Sequence, residues 1–394
     1  LQRPALLAAA AGIVLMLVWL TFSPAQFFRG YLVAWLFVLG ISLGSLAIVM
    51  LSHLTGGEWS WLVRRLGEAA ANNLIVCAIL FIPLAFGLKY LYPWADPELV
   101  RTTPILHHKS LWSNTPWFLI RALIYFAIWI TLAFTMRRLS LEHDRTGDNM
   151  PLARAQRVSA AGLLLFVITM TLASIDWIMS RDAHWFSTVI GLLTVVGQAT
   201  TGMAFLVFML MRIAGRDPIV PMLERKHMID LGNLLFTVVI LWAYLSFSQF
   251  LIIWMGNTKE DVNFYAERGM GVVPNGWRWL ALFLIIFHFF VPFFILLSRD
   301  SKMRTRILMT VAGLLLIMRW LDIVWTIVPT GDKRFTGVEL AATAALGGIW
   351  LATFVRQLES VPLLPRHAPL APAGSHDHAH GHGHAPVKGN LIGG

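Results

Sequence analysis

The chain has 394 residues, of which 57% are hydrophobic and only 13% charged, with a mean hydropathy of +0.67. A soluble domain carries roughly 25% charged residues on its water-facing shell, so an array of soluble domains is excluded. The net charge of +10 does not point to nucleic acid, because the basic residues fall in short stretches between apolar runs and form no continuous basic face.

A hydrocarbon core about 30 Å thick is crossed by about 20 apolar residues in a helix. Ten stretches meet this, at roughly 4–22, 26–53, 69–91, 117–136, 155–180, 185–211, 231–255, 277–298, 306–328 and 337–357. The expected fold is therefore all-α, a polytopic membrane domain of ten transmembrane helices over 1–357, followed by a flexible His-, Pro- and Gly-rich tail over 358–394. The chain opens at Leu1-Gln2-Arg3 directly into the first run. No cleavable signal peptide is visible there, and there is room for residues ahead of it.

Only Phe22-Ser23-Pro24-Ala25 separates the first two spans, which predicts a tight turn. The second ends at His53, and Asn72-Asn73 open the third. The single cysteine, Cys77, lies inside the third span. One cysteine excludes an internal disulfide, a CxxCH haem attachment and a cysteine-held iron–sulfur cluster. The connections at about 90–116 and 256–276 are longer than helix joints usually are. They are rich in Trp, Pro and charge, and read equally as docking surfaces for an outside partner or as packed caps.

Charged side chains at membrane depth cost about 2.5–3.5 kcal/mol on insertion scales, so the ones present carry information. Arg121 stands near one end of the fourth span, and Asp176 in the last third of the fifth. Arg319 and Asp322 lie three apart in the ninth span, a spacing at which side chains face each other. These four are expected at similar depth, as a structural lock or as a proton exit site. In the seventh span Tyr244 and Ser248 are four apart, and Ser246 and Gln249 three apart. Gln198, Thr200 and Thr201 in the sixth span and His288 in the eighth add polar groups near mid-membrane. With His53 they suggest a ladder between the two faces, against the alternative of ordinary polar contacts between helices. A bis-histidine haem is not expected, since only His53 and His288 reach membrane depth and they do so at different levels. In the tail, His376, His378, His380, His382 and His384 alternate with other residues. Such a run has metal affinity, though a flexible tail is the expected role and no metal is assigned.

Ten spans place both ends on one face. Nineteen Lys and Arg fall in the terminal segments and even-numbered connections and ten in the odd-numbered ones. That bias predicts cytoplasmic termini.

Three segments go further. They are Thr171-Leu172-Ala173-Ser174-Ile175-Asp176-Trp177-Ile178-Met179-Ser180 with Ala183-His184-Trp185-Phe186-Ser187-Thr188, Trp242-Ala243-Tyr244-Leu245-Ser246-Phe247-Ser248-Gln249 with Ile253-Trp254-Met255-Gly256-Asn257, and Met318-Arg319-Trp320-Leu321-Asp322-Ile323-Val324-Trp325. Together they resemble the ActF-like membrane subunits of bacterial alternative complex III, a quinol:cytochrome c (or other periplasmic acceptor) oxidoreductase. Those subunits are relatives of the NrfD/PsrC-type quinol-interacting proteins. The resemblance covers essentially all ten spans. It implies two four-helix bundles, spans two to five and six to nine, with two peripheral helices. It also implies a bacterial inner (cytoplasmic) membrane and a multi-subunit complex. The partners would be a paralogous ten-helix quinol subunit, an iron–sulfur subunit and c-type cytochromes, so haem c and iron–sulfur clusters would belong to them.

The expected function is that of a cofactor-free subunit contributing to proton translocation and complex assembly. The alternative is a quinone-binding subunit, with menaquinone or another quinone among the aromatic walls of spans two to five and His53 or Arg121 as anchor. A stand-alone secondary transporter is the remaining class, and the paired broken helices that mark one are not evident.

Overall fold

A computed structural model describes residues 2–271, 273–330 and 334–365; the tail histidines 376–384 lie outside these described residues. Ten helices are long and apolar enough to cross a bilayer. They are α1 (Gln2–Phe22), α2 (Pro24–Thr55), α3 (Trp59–Phe86), α4 (Thr115–Thr146), α5 (Met150–Arg181), α6 (Ile190–Ile213), α7 (Arg225–Gly256), α8 (Trp277–Leu297), α9 (Thr305–Ile327) and α10 (Val338–Glu359). The face with the start of α1 and the end of α10 is called the terminal face below, and the opposite one the far face.

Several helices run past the limits that charge suggests. α3 begins at Trp59 and α4 continues beyond Arg137-Arg138 to Thr146. Arg and Glu are good helix formers, and Arg65 and Arg137 find partners on neighbouring helices, so charge ends the apolar run without ending the helix. α4 stops instead at Gly147, whose φ of 70° is left-handed, a conformation glycine adopts without penalty. α6 starts later than its apolar run, because Ser187 turns the chain and its Oγ accepts from the Ile190 N–H at 3.1 Å.

α2 is the hub, with 94% of its apolar window buried. It packs against α3, α5, α6 and α10. Helices α2–α5 form one four-helix bundle and α6–α9 the second, with α1 and α10 paired at the periphery. Two close approaches fix this arrangement. A Cβ on Gly44 of α2 would fall 1.9 Å from the Gln198 carbonyl oxygen of α6, and one on Gly202 would fall 2.3 Å from the Gly44 carbonyl carbon. The bundles thus meet backbone to backbone. In α1, Ala5, Ala9 and Gly12 repeat at four and three residues, the small-residue spacing that lets membrane helices approach. Gly12 faces Ala341 and Ala345, and Gly348 faces Ala5 and Ala9.

The interior of the first bundle is solid with aromatic rings. Trp35 and Trp177 meet edge to face at 4.9 Å, and Phe81, Phe126 and Trp129 close around them. The Trp35 indole donates to the Cys77 carbonyl at 2.9 Å and the Trp129 indole to Thr169 Oγ1 at 2.9 Å. The rings expected to wall a quinone therefore fill that space themselves.

Two arginines secure the far face. Arg268 is fully buried and donates to the carbonyls of Phe264 (2.6 Å), Trp325 (3.0 Å) and Thr326 (2.6 Å). Arg181 donates to Ile327 O at 2.5 Å. The last carbonyls of a helix lack intrahelical donors and carry its negative dipole end, so both guanidiniums cap α9. Burial pulls Arg268 down to about 9, which leaves it a cation at neutral pH.

Candidate functional site

The four charged residues expected at one depth resolve into two separate ion pairs, one in each bundle. In the first, Arg121 grips Asp176 with Nε–Oδ2 at 2.8 Å and Nη2–Oδ1 at 2.7 Å. Tyr125 donates to Oδ2 at 3.0 Å and the Trp112 indole to Oδ1 at 3.0 Å. Arg121 also lies over the Trp112 ring and donates to its carbonyl. With 1% exposure and four donors, Asp176 has little left to exchange. This pair has the form of a lock.

The second site is built differently. Arg319 and Asp322 of α9 pair through Nη1 and Oδ2. The Trp242 indole of α7 donates to the same Oδ2 at 3.3 Å. Arg319 Nε reaches Thr201 of α6 at 3.4 Å. The guanidinium lies across Gly197, where a Cβ would come within 2.3 Å of Nη2. Asp322 Oδ1 receives no hydrogen bond from the described residues. His288 of α8 stacks on Trp242 with ring centroids 3.8 Å apart. It is fully buried, and neither ring nitrogen has a hydrogen-bond partner among the described residues. His288 sits in a wide π turn over Ile285–Phe290. Pro292, four residues on, has no N–H to give the His288 carbonyl, the ordinary cause of such a break.

Arg319 and Asp322 line a cavity of 1010 Å³. Its walls come mainly from α6, α7, α8 and α9 and from the far connection between Val262 and Gly271, with Leu36 and Gly40 of α2 and Ile178 of α5 closing the side towards the first bundle. On α7 it runs from Ile240 to Trp254, about 21 Å at 1.5 Å per residue. Tyr244, Phe247, Trp254 and Phe290 line it and are themselves exposed. The cavity is therefore open at the outer surface of the helices along α7 and α8. Most of the lining is apolar, and its polar groups include Gln198, Thr201, Ser246, Gln249, Arg278 and the ion pair. Gln198 is buried, with Oε1 unpartnered.

The remaining sequence candidates divide. Tyr244 stands in the cavity wall, and Gln249 lines it while accepting from Ser187 at 3.1 Å. Ser248 is half-buried outside the lining. His53 lies at the terminal end of α2, outside the cavity lining.

A third charged group was not anticipated. Arg65 of α3 pairs with Glu68 at 2.6 Å and with Asp144 of α4, and donates to Ser140 at 3.2 Å. All four are buried. Arg65 and Glu68 are three apart, the same signal that marks Arg319 and Asp322. It was hidden because the apolar run begins only after them. Gly197 carries no signal of its own, since its role appears only with Arg319 in place. Among the described residues no group of three or more His, Cys, Asp or Glu converges as a metal site. No protein-family model matches the chain, and no curated protein matches it significantly.

Proposed function

We propose that this chain is a membrane subunit of a quinol:electron-acceptor oxidoreductase of the alternative complex III type, without a redox cofactor of its own, and that the Arg319–Asp322 pair serves proton movement in it. The complex is suggested by the three motif segments, which contain Asp176, Trp242, Gln249, Arg319 and Asp322. The observation that carries the proton role is the difference between the two aspartates. Asp176 has both oxygens saturated, whereas Asp322 keeps one oxygen free at the wall of a large cavity. A carboxylate in a partly apolar site with one strong partner can take and release a proton as its surroundings change. Quinol oxidation in a partner subunit would supply the protons.

The test is quinol-driven proton release by the reconstituted complex, normalised to assembled enzyme. Asp322→Asn and Trp242→Phe are expected to lower the protons released per quinol. Asp176→Asn is expected to lower the yield of assembled complex and leave the ratio unchanged. An unaltered ratio in Asp322→Asn defeats the proton role.

A second reading, a quinone held in this chain, is favoured by one observation. The cavity is mostly apolar, opens at the outer surface of the helices past aromatic side chains, and has hydrogen-bonding groups in its wall. That combination suits a flat ring with a long tail. On this reading the ring would lie within the second bundle, against Leu36 and Gly40 of α2, and not among the aromatic rings inside the first. A photoactivatable quinone that labels α7 and α8, and loses that label in Asp322→Asn, would support it.

A further inference from the structure

The terminal face of the first bundle holds donor nitrogens that no acceptor among the described residues satisfies. Arg64 is 4% exposed. Its guanidinium makes no hydrogen bond or ion pair among the described residues; Nε is fully enclosed, and the terminal nitrogens keep the small opening that remains. Trp61 stands three residues earlier on α3, so the two side chains emerge side by side. Its indole Nε1 is also buried without a partner. His53, at the end of α2, is close enough to Arg64 for their charges to interact, and its Nε2 is likewise unpartnered.

The neighbouring charges do not supply what is missing. Glu68 and Asp144 are both held by Arg65. The second Glu68 oxygen has no hydrogen bond and lies beyond reach of Arg64. Arg137, within charge range of Glu68 and Arg65, spends its donors on Gln357 at 2.9 Å and Ser360 at 3.0 Å. Three guanidiniums thus face two carboxylates, and the surplus positive charge rests on Arg64. Glu68 and Asp144 are near enough to act on Arg64 by charge, but a guanidinium removed from water without an acceptor in hydrogen-bond reach is strongly unfavourable, so the site suits an anion with several acceptor oxygens.

We propose that Arg64, Trp61 and His53 bind the phosphate of an anionic phospholipid at the terminal face. The level is right for a headgroup. The site lies where α2 ends and α3 begins, and Trp59 and Trp61 open α3 as interfacial tryptophans do. Further along the same helix Ile75, Ile79, Ile82 and Phe86 are exposed at spacings of four, three and four. The stripe begins eleven residues beyond Arg64, about 16 Å along the helix at 1.5 Å per residue, where it gives the acyl chains of a lipid anchored at Arg64 a surface to follow. Arg matches phosphate with two parallel N–H donors, and basic niches between helices are where anionic headgroups settle.

The experiment uses the purified full chain in detergent, with thermal unfolding followed as phosphatidylglycerol, phosphatidylcholine or inorganic phosphate is added. Phosphatidylglycerol is expected to raise Tm saturably, and phosphatidylcholine and inorganic phosphate much less. Arg64→Gln is expected to weaken the response about tenfold or more, the loss of a charge-assisted contact. Without lipid its Tm should equal or exceed that of the native chain, because the uncompensated charge is gone. Trp61→Phe keeps the ring, removes the donor and should weaken the response with unchanged basal Tm. An equal rise with inorganic phosphate overturns the lipid assignment. A response unchanged in both variants overturns the site, and so does an Arg64→Gln chain destabilised equally with and without lipid.

Discussion

Burial alone does not distinguish a working carboxylate from a structural one; the count of its donors does. Asp176 accepts two hydrogen bonds on each oxygen, and protonating it would break the Arg121 fork as well as the Tyr125 bond. Removing one member of such a pair leaves the other charge buried and unmatched, which typically costs about 3–5 kcal/mol. Arg121→Gln is therefore expected to destabilise by that amount. Tyr125→Phe removes one hydrogen bond to a charged group and should cost about 1.5–3 kcal/mol. The double change Arg121→Met with Asp176→Leu should recover most of the Arg121→Gln loss, since no charge remains in the apolar surroundings. Denaturant or thermal unfolding of the purified variants gives all three. A double variant no better than Arg121→Gln would mean that Asp176 does more than balance Arg121.

Between elements, glycine is informative only where something touches it. Gly44 and Gly202 let α2 and α6 meet, and a methyl on Gly44 would overlap the α6 backbone. Gly347 lies in α10 with nothing within 4 Å of its would-be Cβ. Gly44→Ala should cost about 1–3 kcal/mol or more, as overpacking does, because backbone cannot move aside. Gly347→Ala should stabilise by up to about 1 kcal/mol, since alanine is the better helix residue. Parallel thermal melts test the contrast, and equal effects at the two sites would refute the backbone contact. The residues of this crossing were readable in the chain, but their meeting was not. Glycine is common in membrane helices, and nothing in Gly40, Gly44, Gly197 or Gly202 names the partner helix. The Arg319–Asp322 pair was legible because its three-residue spacing is local. Arg121–Asp176 was legible only as a shared depth. The division of these charges between two bundles, and the Arg65–Glu68–Asp144 group beyond the apolar run, depend on contacts between distant helices, which hydropathy does not encode.

Across the molecule, the two bundles share an architecture and differ in their interiors. The first is packed with Trp35, Phe81, Phe126, Trp129 and Trp177, and its ionisable groups are paired or sit at its ends. The second has fewer large side chains at its centre, and a kinked α8 with His288 in its π turn stands beside a cavity of 1010 Å³. Close packing makes added volume costly where no space exists, so the same change should read differently in the two halves. Ala173 is fully buried in α5 of the first bundle, and Ala173→Leu should destabilise by about 1–3 kcal/mol. Ile240 and Ala243 line the cavity and are not buried, so Ala243→Phe and Ile240→Phe should stay within about 0.5 kcal/mol of the native chain, as changes away from packed contacts do. If the empty half is the working half, the two cavity variants will nonetheless lower proton release per quinol or quinone labelling. The destabilised Ala173→Leu will keep both per assembled complex. Stable cavity variants with full activity would leave the space without a role. Unstable ones would mean that the second bundle is as tightly packed as the first.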